Sequence, residues 1–178
     1  MTKKDYPLGK VYGLLEPGPV VLLTTFFRGK SNVMTMSWHT MIDFEPPIIA
    51  CVISNQDHSF EMLKKSKECV LNIPTVNLAK QVVACGNTSG RDIDKFKKFN
   101  LTTHPASTVK APLIEECYAS LECKVINSRL SKQYNLFFLE VQKAWVTPLK
   151  KYPLTLHHFG NGRFMVAGKV IKLPSKMK

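Results

Sequence analysis

Residues 30–42, KSNVMTMSWHTMI, alternate in character with period two, and this run limits the fold more sharply than any other. Met34, Met36 and Trp38 fall on one face, and Thr35, Ser37 and His39 on the other. A helix would not keep those two sets apart, so the run predicts an extended strand. Gly29, between Arg28 and Lys30, predicts a hairpin back to the apolar run PVVLLTTFF at 19–27, itself opened by the EPGP turn at 16–19. Glu45-Pro46-Pro47 ends the alternation, because proline lacks a ladder donor and restricts its predecessor.

The rest of the chain follows the same grammar. IIACVIS (48–54) is a continuous apolar run that reads as a buried strand, and CVLNIP (69–74) is a short one stopped by Pro74. Helical spacing appears at 57–67, with Phe60 and Leu63 inward and Asp57 placed to cap, and again at 75–85, with Leu78 and Val82 before Gly86. Residues 89–99 carry Ile93, Phe96 and Phe99 at helical spacing, and 106–112 read as a polar connection. In 118–129, Leu121, Cys123 and Val125 face inward against Glu122 and Lys124, and 134–146 returns as its antiparallel neighbour. Strands outnumber helices and no βαβ alternation occurs, so the expected fold is mainly β with short helices: an antiparallel barrel with helices outside.

The chain has 178 residues, the size of one domain, with 1–15 as a leader and 168–178 as a basic tail that frays. Its formal net charge of +12 predicts anionic partners: a phosphorylated cofactor, nucleic acid or a membrane surface. Five cysteines (51, 69, 85, 117 and 123) form no CxxC and are odd in number, which argues against a disulfide framework and against a zinc site. His157 and His158 are adjacent on a strand and point to opposite sides, so they do not readily share an ion, and no metal is expected. The beginning of the chain lacks the apolar core of a signal peptide, and no apolar run approaches the roughly 20 residues of a membrane span, which predicts a soluble cytoplasmic protein.

No GxGxxG, GxxxxGK[ST], GxSxG or HExxH is present. Polar clusters at strand ends stand out instead. NVMTMSW sets hydroxyls beside a tryptophan on one strand. SNQDHS (54–59) joins a buried strand to a helix start, where free N–H groups and the helix dipole favour phosphate. Ser89-Gly90-Arg91 with Lys95 offers a hydroxyl, flexible backbone and two cations on one helix face. Each has a plainer reading: Trp38 in the core, Ser59 as an ordinary helix-start residue, Arg91 and Lys95 as a solvated face balanced by Asp92 and Asp94.

Taken together, in the order PVVLLTT, NVMTMSW, EPPIIACVIS, SNQDHSFEML, VLNIP and SGRDIDKF, these pieces resemble the flavin reductase-like family of FMN-binding split barrels, which includes flavoredoxins. The resemblance covers roughly residues 17–146. It implies a six-stranded Greek-key barrel, a homodimer, and non-covalent FMN near the subunit boundary. Carried over by position, Asn32, Met34, Thr35, Ser37 and Trp38 lie beside the flavin. Ser54, His58 and Ser59 serve the ribityl chain and phosphate, and Ser89, Arg91 and Lys95 complete the phosphate cradle. Glu45 stands where the family commonly has Asp, and Tyr134 where flavoredoxin-like members commonly have His. Tyr134 and Phe164 are expected to shape the nicotinamide pocket, and no side chain is assigned as catalytic.

The activity implied is an FMN-dependent oxidoreductase that takes hydride from NADH or NADPH and passes electrons to a second acceptor, which can be a protein. The alternatives are an FMN-binding electron carrier without reductase activity, marked by failure to bleach with NAD(P)H, and a nucleic-acid-binding barrel. Scattered lysines and core-like aromatics argue against the last, and no membrane partner is expected.

Overall fold

The computed structural model describes residues 6–15, 18–148 and 152–175, so residues 16 and 17 of the expected EPGP turn, and residues 1–5 and 176–178 of the leader and tail, lie outside it. Seven strands form one antiparallel sheet: β1 Val21–Phe27, β2 Lys30–Met36, β3 His39–Phe44, β4 Pro47–Val52, β5 Glu68–Ile73, β6 Ala119–Asn127 and β7 Leu136–Val146. Their order is β2-β1-β5-β6-β7-β4-β3. The β1–β2 hairpin turns through Arg28 (φ 49°) and Gly29 (φ 77°), the paired positive φ that matches strand twist.

The single strand expected over 30–42 is two. β2 ends at Met36, Ser37 and Trp38 bend the chain, and β3 then pairs with β4 at the opposite edge of the sheet. Counted as one bent strand, β2 and β3 make six and carry the chain across the split of the barrel. Trp38 therefore leaves the Met34–Met36 face and is 53% exposed.

Inside the barrel, Val21, Leu23, Met36, Ile49, Cys51, Leu71, Cys123 and Leu139 form the main core. Helix α1 (His58–Ser66) closes one side of it with Phe60 and Leu63. Phe60 meets Phe137 edge-on at 5.3 Å, and full burial of one such ring contributes about 1.5–3 kcal/mol. Asp57 is the N-cap residue but makes no side-chain cap bond. A second core lies outside the sheet, where Leu22 and Val33 meet Leu78, Val82 and Cys85 around helix α2 (Ala79–Gly86). Gly86 is the last helical residue there rather than the stop after it, and residues 76–78 form a 3-10 turn.

The helix expected over 89–99 shrinks to Lys95–Lys98, capped by Asp94, which accepts from Lys97 N–H at 3.2 Å. Arg91 lies in the turn before it, so Arg91 and Lys95 do not share a helix face. Phe96 and Phe99 still pack on the second core. Tyr134 ends a single helical turn, Ser131–Tyr134, instead of starting β7. The 106–112 connection, expected to be simply polar, buries Val109 and Ala111 over Val70. Among the described residues all five cysteines are buried free thiols, and no helix is long and apolar enough to cross a membrane.

Candidate functional site: a polar groove along strand β2

Strand β2, the first turn of α1 and the loop after α2 enclose a cavity of about 250 Å³. Asn32 points into it from the inner face of β2 and donates through Nδ2 to Ser59 Oγ at 2.8 Å. Ser59 keeps its own hydroxyl proton to donate. Thr35, from the outer face, donates to Val82 O at 2.6 Å and ties β2 to α2. Gly90 closes the wall: a Cβ there would come within 1.9 Å of Asn32 Oδ1. Its φ is not the reason for glycine; the close approach is.

Lys95 dominates the electrostatics. It is 5% exposed, and Nζ donates to Val33 O at 2.9 Å and Cys85 O at 2.8 Å. An ammonium has three donors, so one remains for the cavity that Lys95 lines. Among the described residues the ion pair is Lys65–Glu61, so the buried charge of Lys95 has no carboxylate in contact. Burial pushes the Lys95 pKa down, with Cys85 and Asp57 opposing. Arg91 anchors by Nη1 to Gln56 O at 3.1 Å and by its N–H to Ser89 Oγ at 3.2 Å. Burial, then the charges of Arg91, Lys95 and Lys30, hold the His58 pKa below its ordinary value. Asp57 is raised by burial against the pull of Lys95 and Arg91. Hydroxyls, a helix N-terminus and a buried cation thus line one cavity, donors of the kind from which a phosphate accepts.

A second cavity of about 300 Å³ shares Thr35, Gly86 and Asn87 with the first and is lined by Ser37, His158 and Phe164. His158 and Phe164 pack with ring centroids 5.3 Å apart and planes tilted by 55° on the hairpin of Leu156–His158 and Phe164–Val166. His157 turns instead toward Thr155 Oγ1, at 3.2 Å.

Of the residues singled out from sequence, Asn32, Met34, Thr35, His58, Ser59, Ser89, Arg91 and Lys95 line the first cavity, and Ser37 and Phe164 the second. Trp38, Ser54 and Tyr134 line neither; they sit together at one end of β3, β4 and β7, where Val52 N–H bonds Trp38 O and Ile53 N–H bonds Asn135 O. Ser54 Oγ accepts from Gln56 N–H at 3.2 Å, and Tyr134 is 58% exposed. Sequence reasoning missed Asn87, Thr88 and His158. The first two had a signal in the small polar run GNTSG after a helix, whereas His158 was read only with His157.

The chain belongs to the flavin reductase-like family: the family profile described as "Flavin reductase like domain" matches residues 14–164. The uncharacterized protein YddH of Escherichia coli (strain K12) is 32% identical over 171 residues, covering 88% of this chain and 90% of that protein. The FMN-binding domain of a flavin reductases-like enzyme from Shewanella baltica superposes with a TM-score of 0.82 at 26% identity, covering 96% and 97% of the two chains. Flavoredoxin of Desulfovibrio vulgaris (Miyazaki F) shares the split-barrel fold with a TM-score of 0.85 at 21% identity over 99% and 98%.

Proposed function

We propose that the groove along β2 binds FMN non-covalently, and that the protein is an oxidoreductase of the flavin reductase or flavoredoxin type. NADH or NADPH supplies the hydride and a second acceptor takes the electrons. The observation that carries this reading is Lys95, a buried ammonium with a spare donor and, among the described residues, no carboxylate in contact, in a cavity walled by Gly90, where an added Cβ would meet the Asn32 amide. A phosphate there supplies the missing counter-charge. The donor set fits FMN: cations and hydroxyls at one end of the groove, and Ser37, His158 and Phe164 at the other.

Bound FMN supplies reversible uptake of a hydride equivalent. The protein's residues then have simple tasks. Lys95, Arg91, Ser59 and Ser89 hold the phosphate, and Thr35 keeps β2 against α2. Phe164 covers the ring end and excludes water. The +12 charge draws anionic cofactors toward the groove.

The reading also includes a homodimer. Met41, Ile42 and Phe44 on edge strand β3 are 49%, 52% and 79% exposed, and exposed Trp38 immediately precedes that strand, so the edge carries apolar surface for a partner to cover. A subunit docked there would bring Tyr134 and Ser54 to a shared flavin edge. Sedimentation of the flavin-bound protein as a 20.1 kDa species would remove the dimer.

The main test is direct. Freshly purified protein should be yellow, release FMN, and bleach when NADH or NADPH is added without oxygen. Yellow protein that does not bleach with either is an electron carrier instead, and colourless protein that takes up no FMN ends the reading.

A further inference from the structure

Two adjoining cavities share no lining residue with the two cavities along β2. They lie where β6 starts and β7 ends, beside the 103–118 segment. The smaller, of about 340 Å³, is walled mainly by apolar side chains, among them Leu113, Val146 and the indole of Trp145. The larger, of about 650 Å³, continues past Tyr152 and Leu154. Both volumes fall within the roughly 300–1,000 Å³ of small-molecule sites. Glu115, Cys117, Tyr118 and Thr147 line both and so mark their junction.

Charge sets this pair apart. The chain has 25 Lys and Arg against 13 Asp and Glu, yet among the described residues no Lys or Arg lines either cavity, whereas Glu115 and Glu116 do. Glu116 is engaged, since its carboxylate accepts from Thr102 N–H at 2.9 and 3.2 Å. The carboxylate of Glu115 has no hydrogen bond or ion pair among the described residues. The thiol of Cys117, only 6% exposed, has no hydrogen-bond partner among them either, and buried polar atoms are seldom left so. Trp145 is held in place beforehand: Nε1 donates to Glu122 at 2.7 Å, and Lys143 Nζ lies 4.2 Å from the ring centroid. Against Lys143 stand the carboxylates of Glu115, Glu116 and Glu122. We propose that the two cavities form a second ligand site, for a small organic amine with an apolar or aromatic body. Its ammonium has three donors, and the junction offers the Glu115 carboxylate with the Tyr118 and Thr147 hydroxyls as acceptors. Its body packs on Trp145, where a ring gains from the aromatic pair. The site thus selects the charge opposite to that taken by the groove along β2.

The test titrates the purified full-length protein with 2-phenylethylamine, 2-phenylethanol and 3-phenylpropionate, which share a ring and differ in charge, read by calorimetry. The amine is expected to bind about tenfold tighter than the alcohol, the ratio that one charge-assisted hydrogen bond gives, and the carboxylate weakest of the three. Glu115→Gln is a mild variant, because the side chain is exposed and the bond from its N–H to Thr102 O at 3.0 Å is kept. It should bring the amine to within about threefold of the alcohol while the alcohol itself shifts by less than about twofold. An amine preference that survives Glu115→Gln, or no preference in the wild type, overturns the proposal. So does binding of none of the three below about 10 mM. Saturating FMN should leave the amine in place, and its displacement would put the amine in the β2 groove and end the proposal.

Discussion

Two buried charges on this barrel have opposite surroundings. Glu122, on β6, is fully buried, and its carboxylate accepts from Ser107 N–H (3.0 Å) and Oγ (3.2 Å), Thr108 N–H and Oγ1 (both 2.5 Å), and Trp145 Nε1 (2.7 Å). Burial alone would raise its pKa, but those bonds outweigh it and hold it at about 2. Lys95 is nearly as buried, yet it has two neutral carbonyls and, among the described residues, no opposite charge in contact. A buried charge with every lone pair engaged is architecture, here a clamp on the 106–112 loop. A buried charge left with a free donor is the one that an arriving anion would stabilise, because charge is expensive to bury without a partner.

The largest effect should come from Glu122→Ala. It strands two backbone N–H groups and the Trp145 indole N–H, and removing one partner of a buried charged set costs about 3–5 kcal/mol. Urea unfolding of the apo-protein measures this. A loss under about 1 kcal/mol would mean that the 106–112 loop opens to water with ease.

The same carboxylate gives a pH signature. Its folded pKa lies below the ordinary value of 4.5, so its stabilisation is present above pH 4.5 and drains away as pH falls toward 2. Glu122→Gln should flatten that part of the stability curve; an unchanged curve would locate the acid sensitivity elsewhere.

Lys95→Met comes next. It should weaken FMN by about 1.5–3 kcal/mol, the usual worth of a hydrogen bond to a charged group, while riboflavin, which lacks the phosphate, loses far less. Equal losses would reduce Lys95 to a clamp between Val33 and Cys85.

Gly90→Ala should act on the same cavity more gently. The added methyl displaces Asn32, and losing its bond to Ser59 costs about 0.5–1.5 kcal/mol. Weaker FMN binding with little change in melting of the apo-protein is expected, and unaltered affinity would show that Asn32 swings clear at no cost.

The smallest effect belongs to His58. Burial and three cations depress its pKa, and an arriving phosphate dianion should reverse part of that, so binding takes up a proton. As pH is lowered from 7 to 6, the wild type should gain FMN affinity relative to His58→Gln. Parallel profiles would place His58 outside the field of the phosphate.

Much of this molecule was legible in its sequence. Period-two runs bounded by Gly and Pro marked the strands, and helical spacing with a Phe60–Leu63 face marked α1, because local sterics and burial set those signals. The three polar clusters were also visible: NVMTMSW, SNQDHS and SGR lie at strand ends and helix starts, where donors are exposed.

What the sequence did not carry was what covers each face. Alternation placed Glu122 away from the barrel interior, and that was right, but only the distant 106–112 loop and Trp145 decided that this side is buried too. Nor could periodicity reveal the bend at Ser37 and Trp38. Both halves of the run are good strand, and the break arises because the pairing partners, β1 for one half and β4 for the other, lie at opposite edges of the sheet. Lys95 shows the division most clearly. Asp92, Asp94, Lys97 and Lys98 around it are charged and exposed, and composition reads it as one more surface lysine. Its burial comes from Val33 O on β2 and Cys85 O on α2, 62 and 10 residues away, which only tertiary packing brings to one ammonium.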